Sequence, residues 1–438
     1  MARREVPAGA LLALCGSALF QLACTIRRGA FHPTAVIMIV AAGVLVGIAL
    51  RGRRGIDARW LLAPIGLVLV DGAFAALPPP NLEHAAPALT LVPLVALVLA
   101  ATYLVPVRAP LATARFAVLC LLVVWLAIDI FSSSPHPHID VFDMQTQGAE
   151  VLQHGRDPYA VVMVSDTNDA HFDVPYTYPP VQLIMTTLAH AATGDVRFAM
   201  VLMLILAAVG ARMALRDGDD LLRDSVALIV LAGPITAFVL DQAWVDVVPL
   251  GFAGCAAWAW ASGRRTLAAA LFGLTFAAKQ PLVIGFPLLL LLPGVTRRQL
   301  AIALGVAAAI TLPFFLWGPS DFLRGTVRYF VNLEPRSDAL TVSNLVKMRF
   351  GHAPGELLGA ASALLICAAL WKRVERSLAS LFVLLTVALL CFFATGKIAF
   401  MNYYFLLGGL AAIAATQLSG PALATSSAGG SGSQPPGR

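Results

Sequence analysis

The chain has 438 residues, of which 59% are hydrophobic and only 12% are charged. A soluble domain carries about 25% charged residues, so this composition is that of a polytopic membrane protein. The net charge of +6 comes from basic residues in short loops between apolar segments, which argues against a nucleic-acid partner. All six cysteines lie in apolar segments, so their positions exclude a disulfide framework and give no metal-ligand spacing. The sequence gives no cofactor signal, and the alternative, a divalent cation near Asp140 and Asp143, has no motif that supports it.

Apolar segments recur along the chain near the length that a helix needs to cross about 30 Å of hydrocarbon. They predict an all-α protein with about 12–14 transmembrane helices. The arginines near the N-terminus and in the loop at 51–59 place both segments in the cytoplasm. The predicted spans are 8–26, 33–50, 60–77, 87–107, 113–131, 196–212, 225–241, 244–262, 299–317, 355–371, 378–395 and 401–418.

The largest polar insertion, residues 132–178, follows the fifth span and is therefore predicted to face outward. Asp140 and Asp143 stand at its start and share one face of a helix predicted over 141–154, with Gly155 as its natural stop. One interpretation is structural, with Asp140 as the N-cap and Asp143 as a first-turn acid. The other is catalytic, because a carboxylate at a membrane surface suits chemistry on a lipid-linked substrate. The two interpretations are compatible.

Two apolar segments are too irregular to be simple spans. Residues 179–194 are short and open with two prolines, and the bias of basic residues favours partial insertion from the outer side. Residues 266–292 are predicted to form a hairpin broken at Lys279 to Pro281, because proline removes a helical donor. A lysine there either snorkels to the interface or is paired or functional.

The order of these motifs resembles the GT-C glycosyltransferases, and most closely glycosyltransferase family 87 and related enzymes that use polyprenyl-phosphate sugars. The matching pieces are Asp140, Gly155 to Tyr159, Tyr178 to Pro180, Gly194 to Arg197, Lys279 to Pro281, Leu312 to Phe314, and Asn402 to Tyr404. The resemblance spans roughly 113–418 and implies a GT-C-like bundle whose outer loop carries short interfacial helices. Residues 1–112 are then extra N-terminal transmembrane helices, a departure from the family, in which the aspartate follows the first helix. Residues 419–438, rich in Gly, Ser, Ala and Pro, are expected to be a disordered cytoplasmic tail.

The resemblance implies a multi-pass enzyme of the plasma membrane with an extracytoplasmic active site. It would transfer a sugar, mannose being one candidate, from a polyprenyl-phosphate donor to a hydroxyl of a cell-envelope glycolipid or glycan. Asp140 matches the position of the family's general base, with Asp143 as the second candidate. Lys279 and Arg336, the latter in a second outer loop at 318–350, could neutralise the departing phosphate. The other candidates for substrate binding are Tyr159, Tyr176, Tyr178, Gln242, Asp246, Asn402 and Tyr403.

Each assignment has a simpler alternative. The tyrosines could brace the loop at the interface, where tyrosine is enriched, and Arg336 could form a surface pair with Asp338. A transporter or flippase of a lipid-linked or polar solute is the competing function, because it would explain Lys279 beside a proline break. A non-catalytic assembly factor is a third, and it would tolerate any residue at 140.

Overall fold

The computed structural model describes residues 5–74, 86–105, 109–167, 170–215, 218–352 and 358–418. The predicted tail at 419–438 lies outside them. The described part is mainly helical with two short two-stranded sheets, and the prediction of an all-α membrane protein is confirmed. In the N-terminal part the helices are α1 (Ala8–Thr25), α2 (Pro33–Ala49), α3 (Leu62–Phe74), α4 (Ala86–Thr102) and α5 (Ala109–Ser133).

The segment at 132–178, called here the outer loop after its predicted side, contains an amphipathic helix, α6 (Asp140–Gln153), within one residue of the predicted bounds at both ends. It stops where Gly155 adopts a φ of 68°, in the left-handed region that favours glycine. Next comes a hairpin of two antiparallel strands, Val162–Thr167 and Ala170–Pro175, which the sequence analysis did not predict. Met163 is buried whereas Val162 and Val164 are exposed, which is the alternation of a strand. The hairpin packs on α6 and completes the loop.

The segment at 179–194 forms α7 (Pro180–Thr193), which ends at Gly194 and is bent by 114° from α8 (Phe198–Ala214). The pair is a broken span or a re-entrant loop, in accord with the predicted irregularity. The helices after it are α9 (Asp220–Val226), α10 (Thr236–Asp241), α11 (Val247–Ala261), α12 (Arg265–Ala277), α13 (Gly285–Leu288) and α14 (Arg297–Trp317). A π-helical stretch at Ala227–Leu231 separates α9 from α10.

The predicted break at Lys279 is confirmed. The helix α12 ends at Ala277, Lys279 is extended with φ −150° and ψ 135°, and a 3₁₀ turn begins at Gln280. The segment after α14, predicted as the second outer loop, folds into short helices, and three longer helices then close the bundle. These last elements are α15 (Pro319–Leu323), α16 (Tyr329–Asn332), α17 (Val342–Phe350), α18 (Leu358–Trp371), α19 (Leu378–Ala394) and α20 (Met401–Gln417).

Among the described residues, three helices are individually long and apolar enough to cross a membrane, namely those within Ala8–Gly29, Leu111–Ser133 and Arg297–Trp317. The bent pair of α7 and α8 would make a fourth, and most of the other apolar helices have 10–17 residues. At 1.5 Å per residue, such helices reach about 15–26 Å, which is less than a straight crossing. Most predicted spans therefore exist as helices, and several of them are shorter than predicted. The span predicted at 225–241 is divided between α9, the π-helical stretch and α10. The spans predicted at 60–77, 87–107 and 355–371 extend beyond the described residues.

The N-terminal helices pack against the rest of the bundle. The helix α1 packs against α2, α3 and α20, and Ser17 Oγ donates to the Gly408 carbonyl of α20 at 2.8 Å. Directly before α1, the strand Glu5–Pro7 pairs with Gly55–Asp57, and Arg53 contacts Glu375. The N-terminus and the loops at 51–59 and 372–376 therefore lie at one end of the bundle, as the charge distribution predicted.

Candidate functional site

Asp140 is the first residue of α6. The N-cap position belongs to Ile139, whose extended backbone carries no side-chain cap, so the interpretation of Asp140 as the N-cap residue is wrong. Burial raises the pKa of the Asp140 carboxyl above its ordinary value. The Val141 backbone N–H and the charge of Arg336 oppose this shift, while the charge of Asp143 adds to it. Asp140 is therefore a partly desolvated carboxyl that has a cation in its surroundings.

Asp143 has a different environment, although it lies on the same face of α6. Its Oδ2 accepts a hydrogen bond from Ser165 Oγ at 2.8 Å, in the first strand of the hairpin. One turn further on, the Gln147 amide pairs with both backbone groups of Val164, at 2.6 and 3.0 Å. Asp143 and Gln147 thus fasten the hairpin to α6, and the two aspartates have separate surroundings.

Tyr159 and Tyr176 lie fully buried in the core of the outer loop. Tyr159 donates to the Tyr178 carbonyl at 2.7 Å, and Tyr176 donates to Gln145 Oε1 at 2.9 Å. Their rings meet edge to face at 5.4 Å, and Phe322 packs on Tyr159 at 4.9 Å. This geometry favours the bracing interpretation for both tyrosines, and a direct contact with substrate stays a prediction.

Tyr178 is only partly buried and differs from the other two tyrosines. Its phenol lies where the charges of Asp140 and Asp246 both act, and Tyr403 is a third neighbour. Burial first, and then these negative charges, raise the pKa of Tyr178 well above its ordinary value. The phenol therefore stays neutral and can donate a hydrogen bond close to Asp140.

Three residues that were predicted to bind substrate or donor form one group. In it, Asp246 binds both Lys279 and Asn402. Lys279 Nζ lies 2.6 Å from Asp246 Oδ1, and Asn402 Nδ2 donates to Asp246 Oδ2 at 2.6 Å. The ammonium also lies 4.1 Å from the centroid of the Tyr403 ring. Lys279 and Asp246 are 5% and 1% exposed, so the pair is buried and lies between α11, the break after α12 and the start of α20. Lys279 is paired rather than snorkelling.

Arg336 binds Asp338 through two nitrogens, at 3.0 and 2.7 Å, and its guanidinium lies 4.7 Å from the centre of the Phe400 ring. The surface pair of the simpler alternative is therefore present. The side chain remains 53% exposed, and its charge acts on Asp140 and Tyr329. Arg336 is a cation with free surface at the edge of this region. Gln242 donates to Asp241 at 2.8 Å, at the end of α10.

The structure thus gathers most of the predicted residues in one region. Its members, called here the outer cluster, are Asp140, Tyr178, Asp246, Lys279, Arg336, Asn402 and Tyr403. Tyr329 belongs to the same region and was not predicted. Gln280 was also missed: its amide donates to the carbonyls of Thr177 and Thr326, at 2.8 and 3.2 Å, and so joins three segments. Its place beside the predicted break was the available signal. Across the described ranges, no group of three or more His, Cys, Asp or Glu side chains could hold a metal ion.

No family model matches the chain, and no curated protein matches its sequence. A crystal structure of ArnT from Cupriavidus metallidurans bound to undecaprenyl phosphate is similar over 71% of this chain, with 16% identity and a TM-score of 0.48. The apo state of the same protein is similar over 70%, with 19% identity and a TM-score of 0.45. This chain covers 60% of ArnT in both cases, which is less than two thirds of its length.

Proposed function

We propose that this chain is an integral-membrane glycosyltransferase that transfers a sugar from a polyprenyl-phosphate donor to a hydroxyl group at the outer face of the membrane. The observation that carries the proposal is Asp140. It is a partly buried carboxyl seven residues after the end of α5, it is not the N-cap residue of α6, and it lies among a neutral phenol and a cation. This is the environment that a general base acting on an alcohol requires.

In the proposed reaction, Asp140 accepts the proton of the acceptor hydroxyl as that oxygen attacks the anomeric carbon. The bond between that carbon and the phosphate oxygen breaks, and the electron pair leaves with the polyprenyl phosphate. A phosphate leaves without a strong general acid, so a second carboxylic acid is unnecessary. Asp143 is held by Ser165 and is therefore the weaker candidate.

The departing phosphate needs positive charge. Arg336 supports this role because half of its side chain is exposed and its charge already acts on Asp140. Lys279 is neutralised by Asp246, so it could bind phosphate only if phosphate replaced that carboxylate. We therefore assign the first contact with the donor phosphate to Arg336. The proposal includes mannose as the sugar and a cell-envelope glycolipid or glycan as the acceptor.

The test is transfer from radiolabelled polyprenyl-phosphate mannose, and from other polyprenyl-phosphate sugars, by the purified protein in lipid. We expect Asp140→Asn to lower kcat by about 10²–10⁴-fold, the usual contribution of a general base. Asp143→Asn is the matched control, since it alters a carboxylate three residues away on the same helix, and it should keep most of the rate. Equal transfer by wild type and Asp140→Asn would remove Asp140 as the base.

A transporter or flippase is the second candidate, and one observation favours it. The buried Lys279–Asp246–Asn402 group lies at a helix break, which is where transporters place ionisable residues. In vesicles that contain the purified protein, a transporter would move a fluorescent polyprenyl-phosphate sugar across the bilayer and lose this activity with Lys279→Met. It would be indifferent to Asp140→Asn, whereas the proposed transferase would not.

A further inference from the structure

Arg197 is the largest fully buried side chain in the described part of the molecule, at 1% exposure. It follows α7, at the turn where Gly194 adopts a φ of 81°. Its backbone N–H and its Nε and Nη2 atoms all donate to the Asp195 carboxylate, at 2.6–3.0 Å. This short-range pairing fixes the guanidinium and leaves one nitrogen, Nη1, for another partner.

That partner lies on the connection from α5 to α6. Arg197 Nη1 donates to the Ser134 carbonyl at 2.7 Å, just past the end of α5. The guanidinium carbon lies 4.3 Å from the ring centre of Phe131 in α5 and 5.0 Å from that of Phe142 in α6. One buried cation thus contacts both sides of the short segment that ends at Asp140.

The start of α6 depends on such outside support, because its N-cap residue, Ile139, provides no side-chain cap. Phe142 and Ala149 lie on one face of α6 and pack against Val196, the neighbour of Arg197, and against Ala243. Since Phe142 lies two residues after Asp140, a shift of that ring would rotate the first turn and turn the Asp140 carboxylate with it.

We infer that Arg197 is a positioning residue for Asp140, and this inference rests on the proposed function of that carboxylate. Its guanidinium sets the direction in which the first turn of α6 presents the base. Lysine keeps the charge but has no planar group that could bind Asp195, bond the Ser134 carbonyl and stack on both rings together. Arg197→Lys should therefore fold but present Asp140 incorrectly. A displacement of about 1 Å at a catalytic group can cost about 10²-fold in rate.

The matched control is Arg115→Lys. Arg115 is also buried, at 8% exposure, and it stacks on an aromatic ring, with its guanidinium carbon 3.8 Å from the centre of Tyr103. It also donates to a hydroxyl, that of Thr102, at 3.3 Å. It lies near the opposite end of α5 from Asp140, so its replacement removes a buried guanidinium and its ring contact at a site away from the outer cluster.

The first readout is steady-state transfer. We expect Arg197→Lys to lower kcat by about 10–100-fold, with KM for the donor within about twofold of wild type, and to move the acid limb of the kcat profile. Arg115→Lys should keep the wild-type kcat and the same profile. A kcat near wild type for Arg197→Lys would overturn the inference, as would a loss that matches Arg115→Lys in both rate and thermal stability.

The second readout needs no activity. Amide hydrogen exchange should rise in residues 135–143 of Arg197→Lys and stay unchanged in the second half of α6, while Arg115→Lys changes neither. If the wild type transfers no sugar, the proposed function fails, and hydrogen exchange still decides whether Arg197 fixes this turn. Unchanged exchange at 135–143 would refute that role.

Discussion

Replacement of Lys279 by methionine tests whether the buried group at the helix break stabilises the fold. The substitution removes the ammonium that lies 2.6 Å from Asp246 and keeps a side chain of similar length. Asp246 is 1% exposed, and within the described part of the chain it would retain only the Asn402 amide as a hydrogen-bond partner. Removal of one member of a buried ion pair typically costs about 3–5 kcal/mol, because the other charge remains buried without compensation.

For 438 residues, an unfolding entropy of about 2.1 cal/mol/K per residue gives about 0.9 kcal/mol/K, so Tm should fall by about 3–5 °C. The double variant Lys279→Met with Asp246→Asn carries no unpaired charge, and its amide oxygen can still accept from Asn402. We expect it to recover about 2 kcal/mol or more of the loss. Arg53→Met is the control, because its pair with Glu375 is exposed and should leave Tm nearly unchanged.

The assay is thermal unfolding in lipid nanodiscs, with the remaining monodisperse fraction measured by size exclusion. A loss below about 1 kcal/mol for Lys279→Met would show that the pair contributes little. A double variant that loses as much as both single variants together would show that the two residues do not interact energetically, and the reasoning from their contact would be refuted.

Two further predictions concern Arg336 and Gly325, which both lie in the segment at 318–350. Arg336→Gln removes a charge that favours the ionised form of Asp140, so the pKa of Asp140 should rise further and the acid limb of the kcat/KM profile should move to higher pH. An unchanged limb would separate Arg336 from Asp140. Gly325→Ala would place a Cβ about 2.1 Å from the Tyr176 carbonyl oxygen, so it should destabilise the loop by about 1–3 kcal/mol. Its check is the thermal assay, with Gly305→Ala as the control, since nothing lies within 4 Å of the Cβ built there.

Much of the local structure could be predicted from the sequence, because the signals are local. Apolar segments of nearly membrane-spanning length predicted the helices, and Gly155 predicted the end of α6. The proline after Lys279 and Gln280 predicted the break after α12. The hairpin at 162–175 was missed, although its first strand alternates buried and exposed side chains. Strand pairing depends on where α6 lies, and no local pattern contains that information.

The roles within the site were decided by tertiary structure. Asp140 and Asp143 are equivalent by spacing, and the tertiary structure distinguishes them, because Ser165 of the hairpin binds Asp143 whereas the charge of Arg336 acts on Asp140. Lys279 and Asp246 are 33 residues apart and Asp246 and Asn402 are 156 apart, so their shared hydrogen bonds arise only when α11, α12 and α20 pack together. The sequence contains the residue types that a membrane enzyme needs. Long-range packing decides which of these side chains can face a substrate and which are paired with a neighbouring residue. The reason is that burial and pairing set the charge that each side chain can offer.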